Sequence, residues 1–329
     1  MTQLVELRDA TASFQAEGIK LYTISYDDKE VLAEFSKNYG IEYPLLSDID
    51  SKVIRAYGIL NEQVRPGDSV LYGIPYPGTY VVDEDGIVLE KFFHDSYKKR
   101  ESGHSLLDAA LGRVLLGDAE PMASGGGDGI RVLAAFHGGP IKQGAQRSVV
   151  VRFELPEGLH VYGEPVPEGM VPTTVSVTGP EGLTIQSPEY PPTQQLWLES
   201  LGVELPVWSG TLDIRVPVFA LSSLASECRP LDRESETLEV EVRYQACNER
   251  ECLLPRTETF HLDVPVQAID VPNIYLHTGH GQREAIYDGR PHLVRLLKRK
   301  LRQSPLGFLR FIVMQTRLEL AAQLRRWRG

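Results

Sequence analysis

Two of the three cysteines in this 329-residue chain, Cys247 and Cys252, lie close enough in sequence for redox chemistry. They occupy the stretch Tyr-Gln-Ala-Cys-Asn-Glu-Arg-Glu-Cys-Leu-Leu-Pro, between two runs that alternate apolar and polar residues. Such alternation predicts β-strands, and two antiparallel strands joined through Asn-Glu-Arg-Glu would place the cysteines almost opposite each other. Cross-strand Cα separations of about 4.5–5.5 Å fall within the range that a disulfide accepts.

The spacing by itself leaves two interpretations of this cysteine pair open. A disulfide across so short a loop removes little entropy from the unfolded chain, so it would be a weak staple. An accessible bond at a loop tip is instead the kind that exchanges. The alternative is a pair of buried, reduced cysteines that act as small apolar side chains. Zinc binding is less favoured, because a Cys-x4-Cys pair needs two further ligands and none stands nearby.

The elements that position the cysteines belong to a region of short predicted strands separated by Pro/Gly turns, a pattern typical of an all-β sandwich. The predicted strands are Arg147–Leu155, Val171–Thr178, Leu212–Phe219, Thr237–Cys247 and Thr257–Val266. The strand that leads into the first cysteine places its apolar residues on one face: Leu238, Val240, Val242, Tyr244 and Ala246. This face is expected to point into the core.

The hairpin residues resemble a known family. Tyr244-Gln-Ala-Cys followed by Cys252-Leu-Leu-Pro is similar to the immunoglobulin-like N-terminal domain of the DsbD thiol:disulfide interchange family. The resemblance covers roughly residues 130–268 and includes Gly158-Leu-His-Val-Tyr. It implies that Cys252 forms a mixed disulfide with a thioredoxin-like or other dithiol protein and that Cys247 resolves it, with Tyr244 as a supporting residue. In that family a loop caps the cysteines, a role that the sequence alone does not assign to the Pro/Gly-rich segment Gly163–Met170.

Residues 1–116 alternate helices and strands in the order typical of the thioredoxin-type α/β fold. Helices are predicted at Gln3–Glu17, Lys29–Tyr39, Ser51–Tyr57 and Ser102–Leu116, and strands at Ile19–Ser25, Thr79–Asp83 and Ile87–Phe93. The runs Gly18-Ile-Lys-Leu-Tyr-Thr-Ile-Ser and Tyr43-Pro-Leu-Leu-Ser-Asp resemble the peroxiredoxin-like redoxins of the AhpC/TSA superfamily. That resemblance implies that Pro77 is the cis proline that faces the active site in thioredoxin folds.

This region departs from the redoxin pattern in one respect. The family's reactive cysteine lies at the start of the first helix, where the positive end of the helix dipole stabilises a thiolate. Here that helix begins at Met1, and the first cysteine of the chain is Cys228. We therefore expect residues 1–116 to be a redoxin domain cut just after its catalytic motif, without peroxidase chemistry. Cys228 is expected to be an unpaired bystander rather than a resolving thiol.

The remaining segments are a linker and a tail. Residues 117–129 contain Ala-Ser-Gly-Gly-Gly-Asp-Gly and are expected to form a flexible linker. Residues 269–329 have a charge of 12 − 4 = +8, whereas the rest of the chain has 22 − 41 = −19. We expect two basic helices in this tail. Their apolar stripe favours docking on the acidic body over weak peripheral contact with an anionic membrane surface.

The sequence therefore predicts an incomplete α/β thioredoxin-like domain (1–116), a linker (117–129), an immunoglobulin-like sandwich (130–268) and a basic helical tail (269–329). The predicted function is that of a thiol–disulfide oxidoreductase of the peroxiredoxin-related antioxidant type, with exchange at Cys247 and Cys252. The alternative is a non-catalytic immunoglobulin-like adaptor with a scaffold redoxin domain. No cofactor, metal or nucleic acid is expected, since His277 and His280 lack further ligands and the body is acidic. Without a signal peptide or membrane-length segment, a cytoplasmic location is slightly favoured over an extracytoplasmic one.

Overall fold

The computed structural model describes residues 2–64, 72–94, 99–117, 121–198, 202–225, 234–248 and 251–267, together with seven positions between 301 and 320. The chain divides into two compact units, one formed by Met1–Arg113 with Ile269–Gly329 and the other by Val114–Ala268. Within the described part, no helix combines the length and apolar character needed to cross a membrane.

The first unit has the predicted α/β character. Its elements are α1 (Thr2–Ala16), β1 (Thr23–Ser25), α2 (Lys29–Tyr39), β2 (Leu45–Ser47), α3 (Lys52–Ala56), β3 (Thr79–Val82), β4 (Val88–Phe92) and α4 (Gly103–Leu111). β1 runs parallel to β2, and β3 is antiparallel to β4. Helices α1 and α4 pack so closely that a Cβ added to Gly103 would lie only 2.7 Å from the Cβ of Ala10. This contact buries Phe14 of α1 and Leu106 of α4.

Ile19–Ser25, predicted to be a buried strand, differs from the prediction. Only Thr23–Ser25 is a strand, and the Tyr22 side chain is 59% exposed. In the described part of the chain β1 pairs with β2 alone, so no second strand covers its other edge.

The prediction of a cis bond before Pro77 is wrong. Among the described residues the cis peptide bond is Glu164–Pro165, and the Tyr76–Pro77 bond is trans. The trans isomer is the one that an X–Pro bond favours by about 0.5–1 kcal/mol. The preceding backbone is fixed in place by a hydrogen bond from the Tyr76 N–H to the Ile59 carbonyl, 2.6 Å long.

The second unit is the predicted all-β sandwich. Its elements are β5 (Met122–Gly127), β6 (Ile130–His137), β7 (Gln146–Glu154), β8 (His160–Tyr162), β9 (Thr174–Thr178), β10 (Leu183–Ile185), β11 (Gln194–Leu198), β12 (Val203–Ser209), β13 (Thr211–Ala220), α5 (Ser222–Ala225), β14 (Ser235–Tyr244), β15 (Ala246–Cys247) and β16 (Arg256–Pro265). They form sheets with the strand orders β10-β13-β7-β6-β5, β16-β14-β9 and β11-β12-β8-β15.

The core of this unit lies between the five-stranded and the three-stranded sheets. Strands β6, β7 and β13 supply one side of the buried apolar cluster, and β9, β14 and β16 supply the other. Along β14 the buried residues alternate with exposed ones, as predicted, and they end at Tyr244 with 1% exposure. β14 pairs antiparallel with β16, Leu238 opposite Leu262, which directs the chain into the cysteine hairpin.

Residues 122–127 of the segment predicted to be a flexible linker instead form a strand. Met122–Gly127 pairs antiparallel with β6 through a two-residue turn at Asp128 and Gly129. Both turn residues have positive φ, 57° and 81°, which is the geometry that an Asp-Gly hairpin turn provides. Glycine is needed in this strand because neighbouring groups approach closely: a Cβ on Gly126 would lie 2.1 Å from the Ile130 carbonyl oxygen.

The predicted basic tail lies almost entirely outside the described residues. Of its two predicted stripes, the structure describes five positions, all helical and exposed: Leu301, Leu309, Val313, Thr316 and Leu320. The predicted burial of these stripes against the body is therefore not seen at these positions.

Candidate functional site

Cys247 and Cys252 are joined by a disulfide, with an S–S distance of 2.05 Å and a Cα–Cα distance of 4.0 Å. The two residues form an antiparallel bridge, and the Leu253 N–H donates to the Ala246 carbonyl at 2.8 Å. The predicted pairing is thus present, and the alternative of two reduced cysteines is not what the structure contains. Cys228 lies outside the described residues.

Backbone contacts position the hairpin at the edge of the four-stranded sheet. Strand β15 pairs with β8, so that Cys247 lies opposite His160. Beyond the disulfide, the Asn248 side chain accepts a hydrogen bond from the Glu251 N–H at 2.9 Å, and the Asn248 N–H donates to the Glu251 carbonyl at 2.9 Å. Asn favours such turns because its side chain can bond nearby backbone groups.

The two sulfurs occupy different environments. Cys247 is 1% exposed and belongs to an apolar cluster with Tyr162, Leu205 and Val207. Cys252, by contrast, is exposed to solvent. An attacking thiolate from another protein would therefore reach Cys252 first, because access governs which sulfur of a disulfide is attacked.

Two side chains of β8 lie beside the exposed cysteine. The Tyr162 hydroxyl is 3.9 Å from Cys252 Sγ, and His160 Nε2 is 3.2 Å from the same hydroxyl. Burial raises the pKa of Tyr162 and lowers the pKa of His160, so both groups favour their neutral forms. Neither residue has a role predicted from the sequence. The pattern His-Val-Tyr was the one signal for them, because it places His160 and Tyr162 on one face of a strand.

The long Pro/Gly-rich segment Gly163–Met170 lies at the same site. Val166 and Met170 pack against the apolar cluster that contains Cys247. The Gln245 side chain connects the end of this segment to the hairpin, accepting from the Val171 N–H and donating to the Leu253 carbonyl, each at 3.1 Å. The segment therefore helps to cover the buried side of the disulfide.

Tyr244, expected from the resemblance to support the site, is placed in the sandwich core. Its ring packs edge-on against Phe153, with centroids 5.1 Å apart. Its hydroxyl donates to Glu258 Oε1 at 2.8 Å, and burial raises the pKa of this tyrosine. The described contacts of Tyr244 are thus structural, and Tyr162 is the tyrosine that approaches a sulfur. Pro77, the other expected supporting residue, lies in the first unit.

Among the described residues, no three His, Cys, Asp or Glu side chains are grouped so that they would hold a metal ion. His277 and His280 of the tail lie outside the described residues.

Two regions of the chain match known protein families. Residues 133–264, which include the disulfide, His160 and Tyr162, match the family described as thiol:disulfide interchange protein DsbD, N-terminal. Residues 1–91 match the AhpC/TSA family. The chain thus joins a region that matches the AhpC/TSA family to a region that matches the DsbD N-terminal family, and these are called below the AhpC/TSA-family region and the DsbD N-terminal region. Both matches support a function of the thiol–disulfide oxidoreductase type.

Curated relatives match the AhpC/TSA-family region. A Mycobacterium tuberculosis protein named as a peroxiredoxin is 36% identical over 102 residues, which are 31% of this chain and 61% of that protein. Chloroplastic peroxiredoxin Q of Arabidopsis thaliana is 36% identical over 87 residues, 26% of this chain and 37% of the relative. The chain thus spans less than two thirds of the length of these relatives.

Three solved structures share a low similarity with this chain. The reduced DsbD N-terminal domain of Neisseria meningitidis has 17% identity and a TM-score of 0.24, over 37% of this chain and 78% of that one. The N-terminal periplasmic domain of ScsB from Proteus mirabilis has 11% identity and a TM-score of 0.29, over 45% and 52%. A complex between the DsbD and PilB N-terminal domains of Neisseria meningitidis matches with 16% identity and a TM-score of 0.25, over 35% and 73%.

Proposed function

We propose that the Cys247–Cys252 pair exchanges disulfides with thioredoxin-like or other dithiol proteins. The observation that carries this proposal is the asymmetry of the bond, because an accessible Cys252 is joined to a buried Cys247. An accessible sulfur can form a mixed disulfide, whereas a buried one is protected from partners and suited to resolving it. The match of residues 133–264 to the DsbD N-terminal family supports the same assignment.

The exchange has two steps when the hairpin starts in its dithiol form. The Cys252 thiolate attacks one sulfur of the partner's disulfide, forming a mixed disulfide while the partner's second sulfur leaves as a thiolate and takes a proton. Cys247 then loses its proton and attacks Cys252 Sγ, which breaks the mixed disulfide and releases the partner's other thiolate. Two electrons move from the hairpin to the partner, and the Cys247–Cys252 bond is restored.

We assign no peroxidase step to the AhpC/TSA-family region. Thiol peroxidase chemistry needs a thiolate nucleophile. The three cysteines of this chain are Cys228, Cys247 and Cys252, and all of them follow that region. We place the chemistry in the sandwich for that reason.

Trapping in the full chain tests the proposal. In a Cys228→Ser background, the reduced chain is offered a thioredoxin-like protein whose single active-site cysteine is bonded to thionitrobenzoate, which leaves as a thiolate when Cys252 attacks that cysteine sulfur. Cys252→Ser should abolish the mixed disulfide, and Cys247→Ser should make it accumulate. The bond should also be reversible, with a potential more oxidising than the about −300 mV typical of structural disulfides.

The background variant, Cys228→Ser alone, is the control and should exchange like the parent chain. Peptide mapping of the oxidised parent should find Cys247 joined to Cys252. A map that pairs Cys228 instead, or a hairpin that no oxidant or reductant alters in the native protein, would contradict the exchange and leave the adaptor alternative.

A further inference from the structure

We propose that Tyr162, positioned by His160, donates a hydrogen bond to the thiolate that forms on Cys252 and so sets the reactivity of this cysteine. The inference rests on the proposed exchange function. Its basis is the chain of contacts from His160 Nε2 to the Tyr162 hydroxyl at 3.2 Å and from that hydroxyl to Cys252 Sγ at 3.9 Å. The sulfur that this hydroxyl contacts is thus that of the exposed cysteine.

The tyrosine is a suitable donor because of where it lies. Tyr162 is 1% exposed, and burial disfavours its phenolate, so the O–H proton is retained. A disulfide sulfur is only a weak acceptor. A thiolate on Cys252 carries a full negative charge, and a donor to a charged acceptor forms a markedly stronger hydrogen bond. The contact should therefore strengthen when the hairpin is reduced.

His160 fixes the direction of this donor. Its ring is 7% exposed, stands edge-on to the Tyr162 ring with centroids 5.2 Å apart, and favours the neutral form. In the tautomer that carries the proton on Nε2, His160 donates to the Tyr162 oxygen and leaves the tyrosine proton free for Cys252. His160 is a positioning residue, because it acts through Tyr162 and not on sulfur.

The local charge makes such a donor useful. Glu251, which precedes Cys252, is exposed and carries a carboxylate that opposes a neighbouring thiolate. A neutral hydroxyl stabilises the anion without placing a competing charge at a surface that a partner must approach.

The expected effect follows from thiol chemistry. If the hydrogen bond lowers the thiol pKa of Cys252 by about one unit, its loss raises that pKa by the same amount. The thiolate fraction near neutral pH then falls about tenfold. Because the nucleophilicity of a thiolate rises with its pKa with a slope of about 0.4–0.5, each remaining thiolate reacts about threefold faster. The net rate of exchange should fall about threefold.

The test uses the full chain with Cys228→Ser and Cys247→Ala, which leaves Cys252 as its one thiol. Two quantities are measured near neutral pH: the ultraviolet absorbance of the thiolate and the rate of reaction with the small disulfide dithiobis(nitrobenzoate). In the reaction Cys252 bonds to one half of this probe, and the other half leaves as a coloured thiolate. Tyr162→Phe should lower the thiolate fraction about tenfold and the rate about threefold.

Two further sets of variants separate donor chemistry from packing. His160→Leu should shift both measurements in the same direction as Tyr162→Phe, whereas His160→Gln keeps an N–H donor and should restore them. Tyr190→Phe removes the hydroxyl of another tyrosine in the same unit, one that accepts from the Val175 N–H at 3.3 Å. It should leave both measurements unchanged.

The outcomes distinguish this inference from the function on which it rests. An unchanged thiolate fraction in both Tyr162→Phe and His160→Leu overturns the inference, even if Cys252 still exchanges. Should Tyr162→Phe fail to fold, the contrast between His160→Leu and His160→Gln decides the matter. If the thiolate absorbance of Cys252 falls in Tyr162→Phe, but Cys252 never reacts with protein disulfides, the inference is supported and the proposed function is overturned.

Discussion

Cys247 and Cys252 belong to one bond, yet their surroundings give them different chemistry. Cys247 is enclosed by apolar side chains, while Cys252 faces solvent with the Tyr162 hydroxyl 3.9 Å away. Burial in apolar surroundings disfavours a thiolate, and a hydrogen-bond donor favours one. The roles proposed for the two cysteines follow from this contrast at single residues.

A residue-scale prediction concerns Tyr244, which the structure places in the core. Tyr244→Phe removes the hydroxyl that donates to Glu258 at 2.8 Å, and we expect a loss of about 1–2 kcal/mol in the free energy of unfolding. Urea unfolding followed by tryptophan fluorescence measures this, since Trp197 and Trp208 both lie in the second unit. Tyr22→Phe, at a side chain that is 59% exposed, is the control and should change little.

The same substitution has a pH signature. Folding raises the pKa of Tyr244, so the contribution of this tyrosine is fully present below the unfolded pKa of about 10 and is lost as the pH rises through the folded value. The parent should therefore lose stability above about pH 10, where the unfolded chain releases the proton first. Tyr244→Phe should show a smaller loss between pH 10 and more alkaline values. Equal slopes in the two proteins would contradict the burial of an un-ionised Tyr244.

At the scale of elements, strand β5 shows how a glycine-rich segment can be ordered. Its backbone pairs with β6, and the Gly126 N–H also donates to Glu258 Oε2 at 2.7 Å. Glu258 thus accepts hydrogen bonds from β5 and from Tyr244 of β14, which links the five-stranded sheet to the three-stranded one. Close packing requires glycine in this strand, although the composition of the segment is typical of a linker.

An element-scale prediction follows for Gly126, whose φ is 111°. Gly126→Ala should cost more than about 2 kcal/mol, because the backbone conformation is unfavourable for Ala and the new Cβ would meet the Ile130 carbonyl oxygen at 2.1 Å. Gly117→Ala is the matched control, since nothing lies within 4 Å of its added Cβ. A flexible linker would tolerate both changes equally, so similar unfolding midpoints would contradict the strand.

At the scale of the whole molecule, the boundary of the sandwich lies earlier than the sequence resemblance indicates. The compact unit is Val114–Ala268, whereas the predicted domain begins at residue 130. Arg152 shows why: it pairs with Asp213 at 2.7 Å and donates to the Val114 carbonyl at 2.9 Å. Residues before 130 therefore contribute to the sandwich.

Expression of two fragments tests this boundary. A fragment of residues 114–268 should unfold at a higher urea concentration than a fragment of residues 130–268. The shorter fragment loses β5, exposes the edge of β6, and removes the Asp128 partner that Arg256 contacts at 2.6 Å. The spectra of the folded fragments and the Cys247–Cys252 bond are the controls. Equal midpoints would restore the boundary at residue 130.

Five of the sandwich strands and the placement of Cys247 opposite Cys252 were predictable from the sequence, which left open whether the two cysteines bond. Both predictions depend on local patterns, since alternation sets the faces of β14 and the two cysteines are only five positions apart. The first region was also predictable as an α/β layer, with α2 at the predicted Lys29–Tyr39. The periodicity of apolar residues is enough to predict an element whose contacts join residues close in sequence.

The other residues of the site come together only through tertiary packing. Tyr162 and Cys252 are 90 positions apart, and their contact depends on β8 pairing with β15. Strand β5 likewise receives a distant contact, since Gly126 donates to Glu258, 132 positions away. Local propensity cannot specify such contacts, because they form only when strands distant in sequence pack together. The same packing buries Cys247 and leaves Cys252 exposed.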